Sequence, residues 1–152
     1  MADTAARSGA VAIGRNEGDR LLRCLASLGD LRGRLVYVDS ASTDGSVDAA
    51  RKAAAEVVML DMARPFTAAR ARAEGFARLE AVAPALEYVM FVDGDCEVEA
   101  GWLDAAIAFL DAHADFAVAC GRRRATGGTV RALRRRSSPE RIRPPRAARR
   151  RA

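Results

Sequence analysis

The chain is poor in the residues that staple small proteins or hold transition metals. It has three cysteines, Cys24, Cys96 and Cys120, an odd number with no CxxC spacing, which argues against a disulfide framework and against a zinc site. Three reduced thiols are expected, at least two of them small core residues. His113 is the single histidine, so a histidine-based metal cluster is excluded. A Ser-His-Asp triad would have to use it, yet its place in "DAHAD", at the end of a predicted helix, reads as a helix-end or surface residue. Aromatic residues make up only 5% of the chain, so the core is expected to consist of Ala, Val and Leu. No apolar run approaches the ~20 residues of a membrane-spanning helix. The opening "MADTAARSGA" lacks the basic start and long apolar stretch of a secretory signal. A cytoplasmic protein is expected, with peripheral attachment at the inner membrane surface as the alternative placement. There is no Walker A sequence and no GxGxxG, which counts against the P-loop and dinucleotide-binding classes.

Half of the 152 residues are hydrophobic, enough for one domain with a core and hardly for two. The net charge of +5 conceals an asymmetry. Residues 1–120 carry 12 basic and 19 acidic residues, net −7, whereas residues 121–152 carry 13 arginines and one glutamate, net +12. The basic character therefore belongs to the tail.

Apolar strands and amphipathic helices alternate through the acidic part. Strands are predicted at Ala10–Ile13, Leu35–Val38, Val57–Leu60, Tyr88–Val92 and Phe116–Cys120. Helices are predicted over "DRLLRCLASL", about Ser46 to Ala55, about Thr67 to Leu79, and "GWLDAAIAFLDAH". In the third helix Phe66, Ala69, Ala73, Phe76 and Leu79 fall near one face. In the fourth, Trp102, Leu103, Ala106, Ile107 and Leu110 face inward. Thr43 or Asp44 is expected to cap the second. Such alternation indicates an α/β domain with a mostly parallel sheet and helices on both faces, whose ligands bind beyond the carboxyl ends of the strands.

The residues after three of those strands are polar: "GRNEG", "DSASTDGS" and "DGDCE". Asp93 and Asp95 end a strand predicted to be central, with Gly94 between them. Two neighbouring carboxylates repel unless a cation or proton lies between them. Mg²⁺ and Mn²⁺ are commonly held by one or two carboxylates together with phosphate oxygens. The pair reads as a metal–diphosphate site or as a solvated turn, since Asp and Gly are ordinary turn residues. Asp39, at the end of the second strand, is placed to accept hydrogen bonds from a base or ribose. Asp44 and Ser46 read as a helix cap, and Asn16 with Glu17 as a polar loop opening a helix.

Together these segments resemble glycosyltransferase family 2, the nucleotide-sugar transferases of GT-A fold. "VAIGRNEGDRLLRCLASL", "VYVDSASTDGSVDAA", "PFTAARARAEGFARL" and "YVMFVDGDCEVEAGWL" are similar, in order and spacing, to the family's Asn-Glu loop, its Asp-x-x-Ser-Thr-Asp-Gly-Ser segment, its Ala-Arg-Asn helix and its Asp-x-Asp segment. The resemblance covers residues 10–121. It implies a Rossmann-like GT-A fold with an incomplete C-terminal half, and transfer of a sugar (hexosyltransferase class) from a nucleotide-diphospho-sugar to a saccharide, lipid or protein acceptor. It further implies that Glu17 and Asp39 hold base and ribose, that Arg72 supports the nucleotide site, and that Asp93 and Asp95 hold the diphosphate through Mg²⁺ or Mn²⁺. Ala73 departs from the family's Asn, and Gly14 and Arg15 from its proline and polar or aromatic residue. In the family the chain continues into an acceptor-binding half with a catalytic carboxylate; here only Glu140 follows Gly121, so no general base is evident.

Residues 1–9 and 122–152 are expected to be disordered. The latter are rich in Arg and Pro without apolar periodicity and cannot offset their ordering entropy. A truncation or shifted reading frame after about residue 121 accounts for the sudden change. The other reading is a basic arm that binds nucleic acid or an anionic membrane non-specifically. No aromatic residue lies beyond Gly121 to stack on bases, so specific nucleic-acid recognition is not expected. A non-catalytic nucleotide-binding module is the remaining alternative.

Overall fold

The computed structural model describes residues 4–53, 55–124 and the backbone of 148–149. The chain divides into a unit up to Gly101 and a unit from Trp102 onward.

The first unit contains the helical turn α1 (Thr4–Arg7), β1 (Ser8–Gly14), α2 (Asp19–Ser27), a 3-10 turn (Gly29–Leu31), β2 (Leu35–Asp39), α3 (Ser46–Lys52), β3 (Glu56–Met59), α4 (Ala68–Val82) and β4 (Tyr88–Asp93). The four strands form one parallel sheet in the order β3-β2-β1-β4. The expected α/β architecture is present. Strands β1 and β2 are buried along nearly their whole length, and their Ala, Val and Ile residues read as continuous apolar runs, as expected of strands covered on both faces. On one face Val11, Ile13, Val36 and Val38 pack with Leu60, Ala71 and Leu79. Helix α4 lies against this face. It comes so close at Gly75 that a methyl group there would collide with the side chains of Val11 and Val38. Ala10, Ala12, Leu35 and Tyr37 point the other way. Leu21, Cys24 and Leu25 of α2 and Ala50 of α3 add to the buried apolar set.

Four expectations are corrected here. Order begins before residue 10: residues 4–9 form α1 and the start of β1, whereas residues 1–3 lie outside the described residues. The anchor is Arg7, which pairs with Glu87 at 2.8 Å, lies over the Tyr88 ring at 5.2 Å, and accepts the Glu87 N–H at its carbonyl. β4 is an edge strand of the four-stranded sheet among the described residues, not a central one, and Phe91 on it is 47% exposed. The inward face of α4 is Ala71, Gly75 and Leu79, while Phe66, Ala69, Ala73 and Phe76 are exposed. Small residues win the inward face because the helix sits directly on the β-branched strands. Finally, only Cys24 is a core cysteine; Cys96 is partly exposed and Cys120 exposed.

In the second unit, α5 (Trp102–Ala112) buries Ile107, with Trp102, Leu103, Ala106 and Leu110 half-buried on the predicted stripe. His113 ends this helix. Its Nδ1 contacts the Phe109 carbonyl at 2.8 Å and its ring stacks on Phe109 at 4.3 Å, beside Phe116, which accounts for it structurally. β5 (Phe116–Val118) pairs antiparallel with β6 (Ala148–Arg149). The predicted fifth strand is therefore two residues shorter. Two residues of the segment expected to be disordered are ordered by backbone pairing. Residues 122–124 are exposed and in neither helix nor strand, and the rest of that expectation, at residues 125–147 and 150–152, lies outside the described residues. No helix among the described residues is long and apolar enough to cross a membrane.

Candidate functional site

Parallel strands deliver their ends to one side of the sheet, and the register makes neighbours of the residues that matter. Gly14 of β1 pairs with Asp39 of β2, and Ile13 with Asp93 of β4. The loops that follow are clamped across β1: Ser40 donates its N–H to the Gly14 carbonyl at 3.0 Å, and Gly94 donates to the Ile13 carbonyl at 2.8 Å. A methyl group at Gly94 would lie 3.2 Å from that carbonyl, a tight fit, and in ordinary contact with Leu21 and Glu17. The small size of glycine thus serves close packing of the turn. Above these ends opens a cleft of about 400 Å³ lined by Ile13, Gly14, Arg15, Glu17, Ser40, Met62, Phe66, Asp93 and Asp95. That volume suits a small-molecule ligand, for which sites run roughly 300–1,000 Å³.

The loop after β1 is held in shape by Asn16. It adopts a left-handed conformation (φ 54°), which Asn tolerates better than most residues. Its N–H donates to Ser42 Oγ at 2.8 Å, and its Oδ1 accepts the Thr43 N–H at 2.7 Å. The turn leaves the largely buried Glu17 at the cleft wall, its Oε2 lying 2.8 Å from the Arg20 guanidinium without an aligned hydrogen bond.

The loop after β2 is a closed network. Asp39 is 0% exposed. Its Oδ1 accepts the Tyr37 hydroxyl at 3.1 Å and its Oδ2 accepts the Ser42 N–H at 2.7 Å. Burial, then the Asp39 carboxylate, push the Tyr37 hydroxyl pKa well up. Next to it Ser40 is 3% exposed and its hydroxyl has no hydrogen-bond partner among the described residues. Further on, Asp44 Oδ1 accepts both the N–H and the hydroxyl of Ser46, at 3.1 and 2.6 Å, and the hydroxyl bond above all keeps that carboxyl below its usual range. Gly45 occupies the cap position of α3 itself, so Asp44 acts one residue earlier than a cap would.

The loop after β4 is open. Asp93 accepts a hydrogen bond from Arg72 of α4 at 2.7 Å through Oδ1. Asp95 is exposed and, among the described residues, takes only the Cys96 thiol, at 3.3 Å. The base of the loop is tied to α2 by Arg23–Glu97 at 2.8 Å and by the Val98 N–H to Ser27 Oγ at 3.0 Å. Cys24 lies beneath, its thiol pKa raised to about 12 by burial and then by the negative charges of Cys96, Asp95, Asp93 and Glu97. It is inert at neutral pH.

Glu17, Asp93 and Asp95 thus converge on the cleft, Arg72 joins them through Asp93, and Asp39 lies outside the lining. Ser40, Arg15, Met62 and Phe66 line the cleft without having been singled out as site residues. The signal for Arg15 and Ser40 was adjacency to the predicted strand ends. For Phe66 the helical period misled, since the helix starts two residues later and Thr67 caps it by accepting the Arg70 N–H at 3.0 Å. Arg70 in turn donates to the Asp61 carbonyl at 2.6 Å, which fastens the loop carrying Met62 and Phe66 to α4.

Among the described residues no three His, Cys, Asp or Glu side chains cluster to form a protein-only metal cage. The donor set still fits a hard divalent ion that draws its other ligands from a phosphate: two carboxylates flank Gly94, and Oδ2 of Asp93 has no hydrogen bond among the described residues.

The fold is that of an α/β protein, and the cleft lies at the carboxyl ends of its parallel strands, where ligands of such sheets bind. The chain matches the family model described as Glycosyl transferase family 2 over residues 11–152 and belongs to that family. No curated protein and no solved structure matches it.

Proposed function

We propose that this chain binds a nucleotide-diphospho-sugar in the cleft at the strand ends and supports transfer of the sugar to an acceptor. The observation that carries this reading is the convergence of Glu17, Asp93 and Asp95 with Arg15 in one cleft, above strand ends whose register holds them together. A glycosyltransferase-like function follows from family membership. The donor, the ion and the residue roles are the proposed part. Glu17 meets the nucleoside, Asp39 acts beneath it through the loop it holds, and Asp93 with Asp95 face the diphosphate. Arg72 fixes the rotamer of Asp93 by its 2.7 Å bond, so that the carboxylate is set before a ligand arrives. A bound Mg²⁺ or Mn²⁺ would offset the charge that develops on the departing nucleoside diphosphate.

A binding module without turnover is the second reading, and one observation favours it. Glu17 and Asp93 both face arginines, and Asp95, the cleft carboxylate without an arginine partner among the described residues, is already assigned to the diphosphate and its ion, so no further cleft carboxylate is left to deprotonate an acceptor hydroxyl. Calorimetry of the full chain with UDP and GDP, with and without Mn²⁺, tests the binding step shared by both readings. Metal-dependent binding that falls at least about tenfold in Asp95→Ala, worth about 1.4 kcal/mol, supports it. Binding that ignores both the metal and the substitution overturns it. Release of nucleoside diphosphate from UDP- or GDP-sugars then separates transferase from module.

A further inference from the structure

The parallel sheet ends in two edges of different make. β3, at one edge, is four residues long, and its first residue, Glu56, is paired with Arg78 of α4 at 2.8 Å. β4, at the other, is six residues long and carries no charge from Tyr88 to Val92. Among the described residues no strand pairs with its outer side. Short or charged edges resist pairing with another chain, whereas a longer apolar edge is a template for it. The face beside this edge is apolar as well. α4 packs on β1 and β2, with Gly75 against Val11 and Val38, and leaves the same face of β4 partly open. Phe76 of α4 and Phe91 of β4 meet there with ring centroids 6.4 Å apart, yet they remain 36% and 47% exposed. The helix flank above carries a charge of each sign. Arg72, Phe76 and Glu80 follow one another at four-residue spacing, about one turn apiece. Arg72 reaches Asp93 at the end of β4, whereas Glu80 is exposed and has no ion pair among the described residues.

We infer that a second copy of this chain covers this face, the two β4 strands pairing antiparallel about a two-fold axis that passes close to Phe91. A two-fold contact must be self-complementary: what one copy offers at one end, the other must answer there. The stripe on α4 meets that condition. With Phe76 at its middle, the reversal sets Arg72 of each copy against Glu80 of the other, and the apolar centre falls on itself. A guanidinium has five donors, so the bond to Asp93 leaves others for that carboxylate. Phe76 and Phe91 of both copies then share the open space beside the helices, and aromatic pairs across antiparallel strands strengthen such pairing. The joint sheet takes its four strands from each copy and meets at β4. Because the two β4 strands run in opposite directions, the two clefts open at opposite ends of that sheet and both stay accessible. The inference therefore stands apart from what the cleft binds.

Sedimentation equilibrium on the full chain tests this, with hydrogen exchange of the β4 amides followed over the same concentrations. A monomer–dimer equilibrium is expected, and the β4 amides should exchange more slowly as the dimer fills. Phe91→Lys puts a charge on the edge and is expected to leave a monomer. Glu80→Lys sets like charges face to face and is expected to weaken the dimer several-fold, with a smaller difference at high salt. Both side chains are exposed, so each variant should melt near the unsubstituted chain when compared at a concentration where the latter is monomeric. A chain that stays monomeric at every concentration overturns the inference. So does a dimer indifferent to either substitution, and so does assembly that runs on beyond the dimer, because a two-fold contact closes on itself.

Discussion

The loops after β2 and β4 begin alike, each with an aspartate closing a parallel strand next to β1, yet they are built for opposite ends. After β2 the carboxylate is sealed: Asp39 is fully buried and both oxygens are bonded within its own segment. After β4 the carboxylates remain available, Asp93 half held by Arg72 and Asp95 exposed at the cleft. One acid is spent on its own loop, while the other pair keeps oxygens open to the cleft. A carboxylate at a strand end is therefore not by itself a ligand-binding group; its oxygens must first be accounted for.

The comparison breaks most decisively at Asp39. Asp39→Ala strips the partner from Tyr37 and from the Ser42 N–H in a buried setting, and is expected to cost about 2–5 kcal/mol of stability in a urea titration. Asp95→Ala, by contrast, should leave stability within about 0.5 kcal/mol while removing metal-dependent nucleotide binding. If the two substitutions prove equally destabilising, the distinction between the loops is lost.

Alkaline titration sharpens the same contrast. Cys24, raised from 9.0 to about 12, and Tyr37, raised from 10.0, are held neutral in the fold. The unfolded chain loses these protons at lower pH than the folded one. The stabilisation is thus fully present below pH 9 and is lost as pH rises from there, at about 1.4 kcal/mol per pH unit for each titrating group. Denaturation midpoints measured between pH 8 and 11 should fall in that order. Tyr37→Phe should flatten the upper part of the curve. A midpoint that is constant to pH 11 contradicts the burial of both groups.

A small effect is expected at the Arg72–Asp93 pair, whose members are 37% and 45% exposed. Arg72→Ala should cost only about 0.2–1 kcal/mol in stability, less at high salt. Its larger signature should be weaker nucleotide binding, because Asp93 loses the contact that sets its rotamer.

Much of this architecture was legible because buried parallel strands advertise themselves. Ala10–Ile13 and Leu35–Val38 are unbroken apolar runs, and the polar stretches behind them mark the cleft side of the sheet. Arg72 and Asp93, far apart in sequence, are paired at 2.7 Å. Less legible was whatever depends on third partners. A 3.6-residue period assigned Phe66 and Phe76 to the inward face of α4, but contact with Val11 and Val38 selects Gly75 and Ala71. The burial of Asp39 rests on Tyr37, two residues back on the same face of β2, which no motif announces. Nor does anything in "DSAS" show that Ser40 lacks a partner among the described residues; that emerges only from the packing around it.

The central claim is that the open pair after β4, and not the sealed acid after β2, gathers a cation together with a nucleoside diphosphate. Paramagnetic broadening of amide resonances by Mn²⁺ on the full chain addresses it directly. With UDP or GDP present, substoichiometric Mn²⁺ should broaden Gly94, Asp95 and Gly14 first, and Asp95→Ala should abolish the effect. Broadening that is indifferent to nucleotide, or that centres on other acids such as Asp111 and Asp115, would contradict the account.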